Sequence, residues 1–190
     1  MEAVLRRELS LSRKLNQAIA VFVFTVFTAL GGFVRIPLPF SPVPLTLQTF
    51  FVLLGAALLG SAGVLPQIAY VLLGTMGLPV FSGAGSGIAY LCGPTAGYLA
   101  GFILAALFVV QFIKYCRNNL ILVLGMLFLA DLALLFCGIA WLKLLFGYPW
   151  GKLFFIGVLP FIPGDLIKSY CAAILYLKLK NRFREVLPGA

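Results

Sequence analysis

The chain has 190 residues, of which 63% are hydrophobic and only 10% charged, with a mean hydropathy of +1.12 and a formal net charge of +9. Soluble domains carry about 25% charged residues, so this composition excludes a water-soluble globule and makes lipid the solvent for most of the surface. The chain contains no histidine, which removes His-ligated zinc or haem and every His-dependent nucleophilic triad; the basic residues sit at span ends without a face of stacking aromatics, which excludes nucleic acid as a partner.

In chain order, "MEAVLRRELSLSRKLNQ" mixes acids with bases and precedes no cleavage site. It reads as a cytoplasmic amphipathic leader (residues 1–17) lying along the membrane surface, not as a signal peptide. A membrane helix needs about 20 apolar residues. Six spans are predicted, at 18–34, 45–60, 64–76, 95–113, 120–142 and 153–179, giving an all-α integral membrane protein with a single transmembrane domain over residues 1–190. The second and third are short, and are expected to be buried among other helices or extended by flanking residues. Pro160 and Pro163 break the last one early, so it also reads as a short interfacial helix followed by a full one.

Two connections stand out. "VRIPLPFSPVPLTLQ" carries prolines at 37, 39, 42 and 44, which favour extended backbone and cannot become helix. Irregular backbone near membrane depth is tolerated where it lines a cavity, so this stiff corner reads as a lid or wall over a pocket. "GLPVFSGAGSG" is its flexible counterpart; no strand precedes it and G-x-G-x-x-G is not matched, so it is no phosphate loop. "GYLAG" places Gly97, Gly101 and then Ala105 on one stripe, which admits a close neighbouring helix. Cys92, Cys116, Cys137 and Cys171 show no C-x-x-C or other metal-ligand spacing and read as buried free thiols.

With the N-terminus inside, the cytoplasmic segments hold Arg6, Arg7, Arg13, Lys14, Lys114, Arg117, Lys178, Lys180, Arg182 and Arg184, against Arg35, Lys143 and Lys152 outside. Ten against three places both termini in the cytoplasm.

Charges at membrane depth cost about 2.5–3.5 kcal/mol on insertion scales, so each calls for a partner or a task. "PGDLIKS" sets Asp165 and Lys168 three residues apart on one helix face. That fits a self-neutralising ion pair, or a carboxylate and an ammonium facing a cavity to grip a polar ligand. Asp131, alone in "LFLADLALLF", fits a carboxyl without a role or a proton relay. Gln48 fits an interhelical hydrogen bond or a ligand contact, and Arg35 a snorkelling interface cation or a ligand contact.

"IPLPFSPVPLTLQTFFVLLGAALLG", "GLPVFSG", "GPTAGYLAGF" and "VLPFIPGDLIK", in this order over residues 18–178, resemble the BioY family, the biotin-binding substrate (S) components of energy-coupling-factor (ECF) transporters. The resemblance implies a six-helix S-component-like bundle in the bacterial plasma (inner) membrane with both termini cytoplasmic. It also implies high-affinity biotin capture for an ATP-driven transporter whose transmembrane coupling protein and ABC-type ATPase subunits supply the energy. The chain itself would then be no enzyme, with no catalytic residue, cofactor or metal. On this reading Asp165 accepts from the ureido N–H groups, and Lys168 or Gln48 donates to the ureido carbonyl. The loop around Ser82 adds hydrogen bonds, and Phe40, Phe81, Tyr90 and Tyr98 pack on the bicycle. Arg35 meets the valerate carboxylate or anchors its loop. The family's A-x-x-x-A docking stripe on the first helix is matched here only in spacing, by Thr25 and Ala29. The competing functions are a stand-alone secondary, proton-coupled carrier working through Asp131, an intramembrane enzyme with Asp131 and Asp165 as an acid pair, and a structural subunit.

Overall fold

The computed structural model describes residues 2–116 and 118–187, with side chains from residue 13 onward. The side chains of Arg6, Arg7 and Arg117 therefore lie outside the described residues. The chain forms α1 (Glu2–Phe33), a two-residue ladder of β1 (Arg35–Ile36) and β2 (Leu45–Thr46), α2 (Gln48–Leu59), α3 (Leu65–Thr75), α4 (Ile88–Leu91), α5 (Ala96–Phe112), α6 (Leu120–Phe146), α7 (Trp150–Gly157) and α8 (Ile162–Val186). It is a helical membrane bundle, and its many exposed large apolar side chains, such as Phe22, Leu72, Ile121, Phe136 and Ile167, are what a lipid solvent requires.

Each of the first five predicted spans overlaps one helix and the sixth runs across α7 and α8, and the segments are not equivalent. Arg13–Phe33, Ala96–Cys116 and Leu120–Phe146 are each long and apolar enough to cross a membrane. Four of the other helices form two bent pairs, α2 with α3 at 114° and α7 with α8 at 51°, so three spans stand alone, or up to five if each bent pair counts as one. The 12 residues of α2 and 11 of α3 reach only about 16–18 Å each, well short of a ~30 Å hydrocarbon core. Their turn is tight because Gly63 admits it: a Cβ there would fall 2.6 Å from the Ala56 carbonyl oxygen. The α7–α8 break falls at Pro160 and Pro163, with Pro163 seated in the first turn of α8, where a missing N–H costs nothing.

The predicted leader is helical from residue 2 and continuous with the first span: α1 runs unbroken through residues 2–33, about 48 Å at 1.5 Å per residue. The proline corner is non-helical as predicted but not extended throughout: it turns at Pro39–Phe40, where the Ser41 amide donates to the Leu38 carbonyl, and it is closed at its base by pairing of Arg35 with Thr46 and Ile36 with Leu45. All four cysteines are free, but only Cys116 is buried; Cys137 is half-buried, and Cys92 and Cys171 are exposed. The buried-thiol reading fails for the last two: Cys92 lies in the connection between α4 and α5, and Cys171 on an exposed position of α8.

The glycine stripe on α5 packs on α6. A Cβ on Gly97 would overlap Trp141 and sit 2.8 Å from the Cys137 carbonyl oxygen, and one on Gly101 would sit 2.9 Å from that of Leu134. Fully buried Val52, Leu53, Val109, Leu127, Leu134 and Leu142 fill the interior. Because α8 packs on both α2 and α6, and α5 on both α2 and α6, the N-terminal turns of α2, α5 and α8 meet at one end of the bundle.

Candidate functional site

Those three helix starts enclose a cavity. Gln48 and Thr49 come from α2, Tyr98 and Phe102 from α5, Leu134 and Leu135 from α6, and Asp165 and Lys168 from α8; Val43, Pro44 and Thr46 of the proline corner and Ser82 and Tyr90 of the glycine-rich loop complete the wall. Both irregular connections thus border the cavity.

At its floor Lys168 Nζ donates to Asp165 Oδ1 at 2.6 Å and to Thr49 Oγ1 at 3.2 Å, while the Thr49 hydroxyl lies 3.3 Å from Asp165 Oδ1. The triangle is closed and dry: Asp165 is 1% and Lys168 9% exposed. It satisfies one carboxylate oxygen and two of the three ammonium protons. Asp165 Oδ2 is buried with no partner among the described residues, so an acceptor and an ammonium donor remain for a guest. A buried carboxylate oxygen left open in this way costs stability that a ligand donor recovers.

Gln48 is held differently from what its position suggests. Its Nε2 donates to the Thr28 carbonyl at 3.2 Å and to the Tyr70 hydroxyl, and its Oε1 accepts from Thr46 Oγ1 at 3.4 Å. Both amide protons are used within the protein, so what Gln48 has spare is a carbonyl lone pair. It can accept from a ligand N–H, not donate to a ligand carbonyl as the sequence suggested.

Above the floor, Tyr90 stacks on fully buried Phe81 with ring centroids 4.7 Å apart and donates to the Ser82 carbonyl at 3.3 Å. Ser82 Oγ is buried without a partner among the described residues. Tyr98 reaches across to the Gly157 carbonyl at 2.9 Å, in space left by Gly138 and Gly157. Its hydroxyl is therefore committed and its ring is what borders the cavity. Three expected contacts are not brought to the wall, the first being Phe81, which is fully buried against the Tyr90 ring. Arg35 is exposed and its guanidinium packs over Gly83, tying the proline corner to the glycine-rich loop; Phe40 is exposed at the corner's tip.

Sequence reasoning missed Thr49 and the setting of Asp131. Thr49 carried no signal beyond following Gln48. Asp131 is fully buried, no donor group meets its oxygens among the described residues, and its carboxyl lies within hydrogen-bonding reach of that of Asp165 and close enough to Lys168 to feel its charge. No spacing relates residues 131 and 165; only the packing of α6 on α8 does.

A buried carboxylate–ammonium–hydroxyl triangle with open hydrogen-bonding capacity, walled by aromatics and bordered by two irregular connections inside an apolar bundle, defines a membrane-embedded binder of a small polar solute. Residues 5–185 match the family model described as the BioY family. The chain is 39% identical over 168 residues to the biotin transporter BioY of Thermotoga maritima, covering 88% of this chain and 97% of that one. It is 36% identical over 169 residues to a probable biotin transporter BioY of Pyrococcus horikoshii, covering 88% and 98%. Its fold matches the 2.1 Å crystal structure of the S-component for biotin from an ECF-type ABC transporter, with a TM-score of 0.83 and 27% identity over 88% of this chain and 92% of that one. The chain belongs to the BioY family.

Proposed function

We propose that the chain captures biotin at the plasma membrane as the substrate-binding subunit of an ECF transporter, with a coupling protein and ABC-type ATPases supplying the energy. The observation that carries this reading is the unpartnered Oδ2 of Asp165 beside the Lys168 ammonium, in a chain whose relatives are biotin transporters. A ureido ring presents two N–H donors and one carbonyl acceptor. Asp165 Oδ2 and Gln48 Oε1 accept from the two N–H groups, and the third proton of Lys168 goes to the carbonyl. The apolar bicycle lies against Tyr90 and Tyr98, and Ser82 Oγ has a free donor for the valerate end. Arg35 acts on the loop and not on the ligand. In this reading the whole chain is one domain, its six segments cross or enter the membrane, and both termini face the cytoplasm.

Equilibrium titration of the purified chain with radiolabelled biotin tests it, with tryptophan fluorescence as a second readout. Trp141 is a suitable reporter because its indole N–H donates to the Gly93 carbonyl at 2.9 Å, at the root of the glycine-rich loop. One-to-one binding without any partner subunit is the expected result; a folded chain that binds no biotin removes the proposal.

A further inference from the structure

The same three helices that open onto the solute cavity at their N-terminal turns converge again at their other ends. There the C-terminal turns of α2 and α5 and the last third of α8 surround a second cavity of about 210 Å³. Lys114, Lys180 and Arg184 all line it. Lys180 is 7% exposed and forms its floor, while Lys114 and Arg184 are exposed at its rim. Along α8, Lys180 is 12 residues beyond Lys168, about 18 Å, so this cavity is separate from the solute site.

What distinguishes this cluster is that no counter-charge pairs with it among the described residues. The only ion pair among the described residues is Lys168–Asp165 at the opposite end. Among the described residues the buried Lys180 ammonium has neutral partners only, donating to Asn118 Oδ1 and lying 5.6 Å from the Tyr176 ring centroid. Burying an ammonium with neutral partners beside a like charge is unfavourable, and an anion in the cavity would relieve both costs. An ammonium at the floor with an ammonium and a guanidinium at the mouth suits an oxyanion, and basic pockets between membrane helices near the bilayer edge hold phosphate head groups.

We propose that this cavity binds a phosphate oxyanion, with the phosphodiester of an anionic phospholipid and free inorganic phosphate as its two possible sources. The site stands independently of the biotin reading. Native mass spectrometry and thermal unfolding of the full chain in detergent test it, with phosphatidylglycerol, phosphatidylcholine or inorganic phosphate added in parallel. The expected result is retention of one phosphatidylglycerol in preference to phosphatidylcholine, with a raised Tm; a rise with inorganic phosphate alone assigns the cavity to the free ion. Lys180→Met combined with Arg184→Gln should weaken binding about fivefold for each cation removed. Monodisperse elution and an unchanged helical signal confirm that the variant is folded, and Arg184→Gln alone, at the exposed rim, serves should the double variant fail to fold. Equal retention of both lipids with no response to phosphate, or undiminished phosphatidylglycerol binding by the variants, would overturn the proposal.

Discussion

Asp165 holds one oxygen in an ion pair and leaves the other open, and this asymmetry sets what substitutions do. Asp165→Asn keeps the shape but turns a charged acceptor into a neutral amide. Biotin affinity should fall by about 1.5–3 kcal/mol, as for a hydrogen bond to a charged group, roughly 10- to 150-fold in Kd by equilibrium binding. Lys168→Met is the harsher change, because it strands a buried carboxylate; breaking a buried pair from one side costs about 3–5 kcal/mol. Adding Asp165→Asn to Lys168→Met should recover most of the lost thermal stability without recovering binding. A double variant as unstable as Lys168→Met alone would show that the ammonium does something other than balance Asp165. Asp131 is the counter-case. Two carboxyl groups and one ammonium share this buried region, and the Asp131 carboxyl lies within hydrogen-bonding reach of that of Asp165 without a donor group of its own. Asp131→Asn removes the excess acid at constant shape, so stability should hold or rise by about 1 kcal/mol and the biotin Kd should stay within about threefold. Loss of binding in folded Asp131→Asn would make Asp131 a ligand group. The sequence made Asp165 and Lys168 legible because they are three residues apart on one helix. It could not show that Asp131 joins them, nor that Thr28, Tyr70 and Thr46 occupy the Gln48 amide, because those contacts cross from one helix to another.

At the scale of elements, apolar runs and their punctuation carried most of the fold. Pro and Gly mark the ends of α1, α2 and α3, Asn119 caps α6 by accepting from the Ile121 and Leu122 amides at 2.9 and 3.2 Å, and Gly147 ends it with φ 66°. The 114° fold between α2 and α3 was not legible, since it depends on how closely Gly63 meets Ala56 and not on any local propensity. The glycine stripe on α5 was legible as a packing face but did not name α6 as its partner. That seam positions Tyr98 and the start of α5, so it bears on the site as well as on stability. Gly97→Leu would drive a side chain into Trp141 and the Cys137 carbonyl, and overpacking of this kind costs about 1–3 kcal/mol. Thermal unfolding should register that loss, and biotin affinity should fall with it because Thr95 and Tyr98 sit on the displaced turn. Gly125→Leu on α6, where a Cβ meets nothing within 4 Å, is the matched control and should leave both unchanged.

For the molecule as a whole, the two ends of the bundle differ in charge and in chemistry. The solute cavity lies where the flanking segments hold Arg35, Lys143 and Lys152, and among the cations with described side chains Arg13, Lys14, Lys114, Lys178, Lys180, Arg182 and Arg184 lie toward the opposite end. On the proposed function the positive-inside tendency predicts a solute cavity that faces outward, the side from which a captured vitamin must come. Cys92 offers a direct check. It is exposed, it lies just before α5 at the solute end, and the other thiols are buried in the bundle or carried on the helices that face lipid. In intact cells a membrane-impermeant maleimide should label the native chain, and Cys92→Ser should abolish that labelling, while Cys116 near the opposite end stays unreactive because it is buried. Labelling of Cys92 only after the membrane is inverted would place the solute cavity on the inner face. Asp165 and Lys168 would then be unreachable from outside, and capture for uptake would fail even if purified protein bound biotin tightly. The orientation test and the binding test are therefore independent requirements, and uptake needs both to succeed.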